Sequence, residues 1–222
     1  MSELSDRLAI AQAVQNWALW RDTGQWDRLR RLYTPDAKVH TTWFVGSAHE
    51  FIERSNESAK KGARVQHFVG ASSVDLNGDK AIAESRIMLL VRAALEGTEV
   101  DVTCHGRFYD RFLRQAGEWR IAERIGIYEK DRIDPVVPGT LVKLDPTALA
   151  RYPEGYRHLA YVQAIAGARI TLDLPVPGSD VLTRVYEEGS EWLRCGASVC
   201  EIRAKARSLL GSELETREPD LP

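Results

Sequence analysis

Hydrophobic positions near the start of the chain recur every three or four residues, which is the spacing of one face of a helix. The apolar residues on that face are Ile10, Ala13, Val14, Trp17 and Ala18. With Ser5 as an N-cap, this pattern predicts a first helix over residues 5–22. A second short helix is predicted over residues 26–33, where Pro35 stops it, and a third over residues 48–61.

The pattern then changes to an alternation of apolar and polar residues, which is typical of strands. It starts over residues 37–44 and continues in four longer segments: residues 65–76, 80–95, 100–114 and 119–130. Short turns separate these segments, and Asn77-Gly78-Asp79 is a strong hairpin signal. Helices followed by a meander of long strands predict an α+β fold, in which a cone-shaped, curved antiparallel sheet and N-terminal helices enclose a pocket. We therefore expect the functional site inside the cone.

The composition changes beyond Asp134-Pro135, so we expect one α+β domain over residues 1–134 and an extension over residues 135–222. The extension is short for an independent domain and is expected to pack on the first one. Three elements are predicted in it: a helix over residues 153–165, a short strand over residues 169–174 and a helix over residues 180–194. The acidic tail from about residue 213 is expected to fray. The sequence leaves open whether the extension covers the pocket mouth or forms an interface between copies.

Composition argues against several classes of function. The 222 residues carry a formal net charge of −2, so the basic field that nucleic-acid binding needs is not expected. No apolar run approaches the roughly 20 residues of a membrane-spanning helix, and the first residues lack the profile of a signal peptide. The three cysteines match neither a disulfide nor a zinc framework, which favours the reducing cytoplasm. The partner we expect is a small-molecule substrate.

Two side chains stand out as candidates for chemistry. Asp22 ends the first helix among apolar residues, and His67 opens a strand. A carboxylate beside an imidazole fixes the tautomer of the ring, orients it and stabilises its protonated form. Burial lowers the pKa of a histidine while a nearby carboxylate raises it, so such a pair can be tuned to near neutrality. On the residues alone, Asp22 can equally cap the helix or form a surface ion pair, and His67 can be a core residue.

These two residues lie in segments that resemble a known family. Residues 18–35 (ALWRDTGQWDRLRRLYTP) and 66–70 (QHFVG) are similar to scytalone dehydratase. That enzyme is a member of the nuclear-transport-factor-2-like superfamily, whose fold the SnoaL-like polyketide cyclases share. In the family the matching aspartate and histidine form the catalytic dyad, and the bacterial hexachlorocyclohexane dehydrochlorinase has the same layout. The resemblance covers about residues 5–134 and implies that Asp22 and His67 are catalytic.

The sequence departs from that family at positions that contact the substrate. Where scytalone dehydratase has two tyrosines that polarise the substrate carbonyl through a water, this chain has Arg21 and Thr41. The family's second active-site histidine has no clear equivalent, and Arg92 or Val91 falls near its place. His105 and Arg107 alternate on one face of a strand and would add polar contacts if that face is the interior, but not if it points outward. These departures favour the same class of reaction on a different substrate.

The leading hypothesis is a cofactor-independent lyase of the dehydratase type, acting on a small cyclic or polyketide-like substrate. One alternative is an isomerase or cyclase of the ketosteroid-isomerase or SnoaL type, which uses a lone carboxylate as base. Another is a non-catalytic module that binds a small ligand. No metal is expected, because Asp22, His67 and His105 do not match ligand spacing. The resemblance also implies self-association through the outer face of the sheet, as a dimer or a trimer.

Overall fold

A computed structural model describes residues 2–195 of the chain. The chain begins with α1 (Glu3–Asp22), α2 (Trp26–Arg31), β1 (Tyr33–Thr41), β2 (Phe44–Ser47) and α3 (Ala48–Lys60). Four long strands follow: β3 (Arg64–Asn77), β4 (Lys80–Leu95), β5 (Thr98–Gln115) and β6 (Glu118–Pro135). The extension then forms α4 (Pro146–Leu149), a short 3₁₀ helix (Glu154–Tyr156), α5 (Arg157–Ile165) and α6 (Asp180–Arg194). The predicted fraying tail from about residue 213 lies outside the described residues.

The six strands form one sheet in the order β2-β1-β6-β5-β4-β3. Neighbours are antiparallel except β1 and β6, which run parallel. The β5–β6 ladder shifts register between His105 and Gly106 and between Arg111 and Phe112, and such bulges bend a sheet. A Cβ at Gly106 would lie 2.2 Å from the carbonyl oxygen of Ile127, so glycine is required at the first bulge. The predicted α+β class, with a curved sheet and N-terminal helices, is confirmed.

Two separate hydrophobic cores cover the concave face of the sheet. In the first, α1 and α3 pack on one half of the face, and large buried members are Ile10, Trp17, Phe51, Phe112 and Ile121. In the second, the extension packs on the other half, and the buried members include Val100, Val102, Tyr128, Tyr156 and Leu159. The core is divided in two because the long strands extend beyond α1 and α3, which cover only part of the concave face.

Helix α6 packs on the opposite, outer face of the sheet. Leu182 and Val185 contact Tyr109 and Ile127 in a third, smaller cluster. This helix covers only part of the outer face, and Phe68 on β3 remains 66% exposed. Self-association through the outer face stays a prediction. None of the helices within residues 2–195 is long and apolar enough to cross a membrane.

The predicted strand over residues 169–174 is wrong. This segment has no regular secondary structure and pairs with no strand within residues 2–195. The N–H of Thr171 donates to the carbonyl of Thr42 at 2.8 Å, and Leu174 is buried in the second core. Ile170 also packs against this core while Leu172 is 57% exposed, so the apolar residues of the segment reflect partial burial and not a place in the sheet.

Near the N-terminal helices, the boundaries differ from those predicted. Helix α2 ends at Arg31, since Tyr33 already pairs with Ile121 of β6. Strand β1 consequently starts four residues before the predicted residue 37, and the predicted strand is divided by a turn that leads into β2. The four residues of β2 are too few for a periodic pattern to reveal them.

Substitution of Gly155 tests how closely the extension packs on the sheet. A Cβ at this position would lie 2.5 Å from the carbonyl oxygen of Tyr128 in β6, where only a backbone shift could relieve the clash. We expect Gly155→Ala to lower the free energy of unfolding by about 1–3 kcal/mol, as overpacked core positions do, in urea denaturation. Gly70→Ala is the matched control, because its Cβ would meet other atoms only at 3.6 Å or more. Equal stability of the two variants would contradict the close docking.

Candidate active site

Asp22 and His67 meet where the end of α1 packs against the start of β3. The Nδ1 atom of His67 lies 2.7 Å from Oδ1 of Asp22, and the backbone N–H of His67 donates to Oδ2 at 2.5 Å. Because one residue engages both carboxylate oxygens, the aspartate holds the ring in one orientation. Nδ1 is then the donor and Nε2 the acceptor of the neutral ring. No group within residues 2–195 forms a hydrogen bond with Nε2.

The imidazole ring lies among aromatic side chains. Trp17 meets it edge-on with 5.1 Å between ring centroids, and Phe108 lies at 6.2 Å. Only 9% of the His67 side chain is exposed. Removal of water from around the ring disfavours its charged form, so this packing bears directly on its protonation.

Burial lowers the pKa of His67 below its ordinary value of 6.5. The hydrogen bond and the charge of Asp22 oppose this shift, while the positive charges of Arg21 and Arg124 reinforce it. The ring is therefore neutral at physiological pH, and the lone pair on Nε2 is available to accept a proton.

A cavity of about 620 Å³ opens beside the imidazole, between the two cores of the concave face. The extension supplies one of its walls through Val162, Gln163, Ile165, Ala166 and Ala168. The hydroxyl of Thr42 donates to Oε1 of Gln163 at 2.6 Å, which ties this wall to the turn after β1. The extension thus forms part of the pocket wall, in agreement with one of the two roles that the sequence left open.

Three of the predicted substrate-binding residues, Arg21, Thr41 and Arg92, line the cavity. The Arg21 side chain is 11% exposed, and its Nη1 lies 3.9 Å from Oδ1 of Asp22. Burial lowers the pKa of Arg21, although the charge of Asp22 opposes the shift. Thr41 donates its hydroxyl hydrogen to the backbone carbonyl of Phe44, the first residue of β2. Arg92 touches the cavity only at its rim, because its Nε and Nη2 donate at 2.5 and 2.9 Å to Asp101, which lies on the outer face of β5.

The other two predicted residues, His105 and Arg107, lie on the outer face of the sheet. Side chains alternate along β5, and Phe108 lines the cavity, so Arg107 points away from it. Arg107 forms ion pairs with Glu84 and Glu129, and His105 lines a shallow hollow outside the cone. The inward orientation that would have given them substrate contacts is therefore wrong.

The position of His105 also separates the three residues considered as a metal site. His67 lies inside the cone and His105 outside, with the sheet between them. Within the described part of the chain, no group of three or more His, Cys, Asp and Glu side chains is arranged to hold a metal ion.

A buried ion pair that was not predicted from the sequence forms part of the same wall. Arg124 donates through Nε and Nη2 to the two carboxylate oxygens of Asp110 at 2.7 and 2.6 Å, and neither residue is exposed. The guanidinium carbon lies 4.1 Å from the ring centroid of Trp17 and 3.9 Å from that of Phe108. A signal was present, because Asp110 occupies an alternate position between the aromatic residues Phe108 and Phe112. Such a position places its carboxylate on the inward face.

A second carboxylate–imidazole pair shows that this contact alone does not identify an active site. Nδ1 of His158 lies 2.8 Å from Oδ1 of Asp131, and the backbone N–H of Leu159 donates to Oδ2 at 2.7 Å. This pair fastens the first turn of α5 to β6, and neither His158 nor Asp131 lines the cavity. The Asp22–His67 pair differs because its imidazole is part of the cavity wall.

Comparison with known proteins places these features in a family. A model of the SnoaL-like domain matches residues 2–125. The chain is 33% identical over 194 residues to pea pathogenicity protein 2 of Fusarium vanettenii, with 85% of this chain and 83% of that protein covered. It is 27% identical over 131 residues to a dehydratase of Pestalotiopsis microspora, with 53% of this chain and 82% of that protein covered.

Among solved structures, a Mycobacterium tuberculosis protein of unknown function has a similar fold. The TM-score is 0.50 at 19% identity, and the match covers 75% of this chain and 98% of that chain. The SnoaL-like membership predicted from the sequence is confirmed by the family match over residues 2–125.

The Asp110–Arg124 pair predicts a large loss of stability when one partner is removed. Asp110→Asn leaves a buried guanidinium without its countercharge, which is expected to cost about 3–5 kcal/mol of unfolding free energy. Asp101→Asn is the control, because Asp101 forms the same bidentate contact with Arg92 while its side chain is 44% exposed. Exposed pairs contribute about 1 kcal/mol or less. Denaturant titrations that gave equal losses for both variants would contradict this account.

Proposed function

The chain belongs to the SnoaL-like domain family, and from this starting point we propose that it is a cofactor-independent lyase. Its reaction would be a dehydratase-type elimination on a small cyclic or polyketide-like substrate. The observation that carries the proposal is the position of the His67 imidazole in the cavity wall, held by Asp22 through Nδ1 and with Nε2 unbound by any group within residues 2–195. The related dehydratase of Pestalotiopsis microspora supports the same class of reaction.

In the proposed reaction, Nε2 of His67 removes a proton from a carbon beside a carbonyl or a similar activating group. The electron pair of the broken C–H bond forms an enolate-like intermediate. The imidazolium then returns the proton to the neighbouring hydroxyl, which leaves as water while the carbon–carbon double bond forms. Asp22, 2.7 Å from Nδ1, stabilises the imidazolium between the two steps. One ring acts as base and then as acid, so a hydrogen and a hydroxyl on the same face of the substrate fit best.

Positive charge near the dyad suits the proposed intermediate. Arg21 lines the cavity and Arg124 lies against the aromatic rings that contact His67. A fixed charge in a wall from which water is excluded stabilises a developing negative charge more strongly than bulk water does. The same two charges add to the larger effect of burial, which lowers the pKa of His67.

The two alternative functions are less well supported by the geometry. An isomerase or cyclase with a lone carboxylate base needs an acidic side chain at the cavity, and none of the described lining residues is Asp or Glu. Both oxygens of Asp22 are already engaged by His67. A non-catalytic module predicts a shallow pocket and no contact within the pair, in contrast to the cavity of about 620 Å³ and the 2.7 Å distance.

Substitution of the dyad tests this proposal. On a substrate found by screening small cyclic hydroxy ketones, we expect Asp22→Asn and His67→Ala to lower kcat by a factor of about 10² to 10⁴, the usual contribution of a positioned acid–base group. Absorbance of the conjugated product would report turnover. The control is His40→Gln, since His40 lies 3.2 Å from Glu123 in a carboxylate–imidazole pair outside the cavity. Near-normal turnover in both dyad variants would refute the mechanism.

The pH dependence of kcat/KM gives a second test. The rate should fall at acid pH as His67 gains a proton, because imidazolium cannot act as the base. Since burial holds the pKa of His67 below 6.5, the midpoint of this fall is expected below pH 6.5. Arg21→Gln removes a positive charge that lowers this pKa, so the midpoint should move to higher pH. NMR titration of the His67 ring measures both values, and a midpoint above 6.5 or a downward shift would count against the assignment.

A further inference from the structure

The cavity also indicates which chemical class of molecule it binds. We propose that the substrate carries a carboxylate that pairs with Arg21, so that the protein acts on a ring-shaped carboxylic acid. This inference rests on the proposed function only where it calls the bound molecule a substrate. Recognition of the carboxylate does not depend on proton transfer at His67.

Arg21 is a cation without an adequate partner. Its side chain is 11% exposed, and its contact with Asp22 is 3.9 Å long, too long for a hydrogen bond. The oxygen it faces already accepts from Nδ1 of His67 at 2.7 Å. Within residues 2–195 the guanidinium donates no hydrogen bond, although its nitrogens are not sealed from the cavity. A desolvated guanidinium is costly without acceptors, and a carboxylate matches its planar fork with two parallel hydrogen bonds.

The charges around the cavity are unevenly distributed. Arg92 and Arg124 also line it, but each already binds both oxygens of an aspartate. Lys61 and Arg64 add two further positive residues to the lining, and no described lining residue is acidic. A cleft lined by one sign of charge attracts ligands of the opposite sign. The described charged residues in the cavity lining are all cationic, which suits an anionic ligand better than a cationic one.

The remaining lining indicates the body of the ligand. Aromatic side chains surround the cavity: Trp17, Trp43, Phe51, Phe108 and Tyr128. Its volume of about 620 Å³ suits a molecule of one or two rings, since small-ligand pockets measure about 300–1,000 Å³. Oε1 of Gln163, a lining residue, accepts from Thr42, and no acceptor within residues 2–195 binds its amide N–H groups. Apolar faces and hydrogen-bond donors together fit a ring compound that bears acceptor oxygens.

Matched acids and amides test the charge preference in the unaltered protein. We would measure binding of benzoate against benzamide, and of 2-naphthoate against 2-naphthamide, by isothermal titration calorimetry at about pH 8, above the ordinary range of histidine. The acid of at least one pair is expected to bind about tenfold more tightly than its amide, or better, because only the acid can neutralise Arg21. Equal affinities within both pairs, or no binding of either acid, would overturn the inference.

Substitutions test whether Arg21 causes the preference for the acid over its amide. Arg21→Gln should abolish the difference between acid and amide, and Arg21→Lys should retain part of it, since lysine keeps the charge without the fork. Arg28→Gln, which removes an equal charge from the exposed surface of α2, should behave like the wild type. A full acid preference in a folded Arg21→Gln protein would also overturn the proposal.

Two further measurements separate this inference from the catalytic one. His67→Gln should lose turnover and keep the acid preference, so failure of the dyad mechanism would leave the carboxylate site untouched. In the wild type, bound benzoate should raise the pKa of His67 in NMR titration and benzamide should not, because only the acid cancels the nearby positive charge. An unchanged pKa with saturating benzoate would contradict contact at Arg21.

Discussion

The length of the central strands is the constraint on which the rest of the structure depends. Strands β4, β5 and β6 run for 16, 18 and 18 residues, and their inward positions are largely apolar. Helices α1 and α3 cover only one half of that concave face, so the other half would expose a large apolar surface to water. The extension covers it with α5 and the segments around it. The cavity lies between the N-terminal helices and the extension, so both groups of elements contribute to its walls.

Polar groups in such a cavity have to be paired, and their pairing determines what the site can do. Asp110 compensates the charge of Arg124 in the wall, and the aromatic rings beside this pair also pack on His67. Asp22 orients the imidazole and opposes the effect of burial on its pKa. Arg21 is the exception, a desolvated cation with only a long contact to a carboxylate. Because Arg21 lies beside Asp22 and has no closer partner within residues 2–195, an anionic ligand that pairs with Arg21 would lie next to the Asp22–His67 pair.

Several features could be predicted from the sequence because they depend on local patterns. Alternation over the long strands and the tight turns between them are visible without tertiary contacts, and they establish the meander. The predicted strand over residues 169–174 failed because burial against a core produces the same apolar pattern as a sheet strand. The roles of His105 and Arg107 failed because alternation shows that two residues share a face but not which face is inside. The inward position of Asp110 has a local signal, because this residue alternates along β5 with the inward-facing Phe108 and Phe112.

The sequence by itself determined the fold class, the family and the two residues proposed for catalysis, because helix and strand periods and short matched segments are local properties of the chain. Tertiary structure decided which groups actually meet. Asp22 and His67 are 45 positions apart, and nothing local to either one specifies a contact of 2.7 Å. The curvature of the sheet brings the end of α1 to the start of β3, and the extension closes the space beside them. Burial and charge in that space depend on all of these elements at once, so the pKa of His67 is set only in the packed structure.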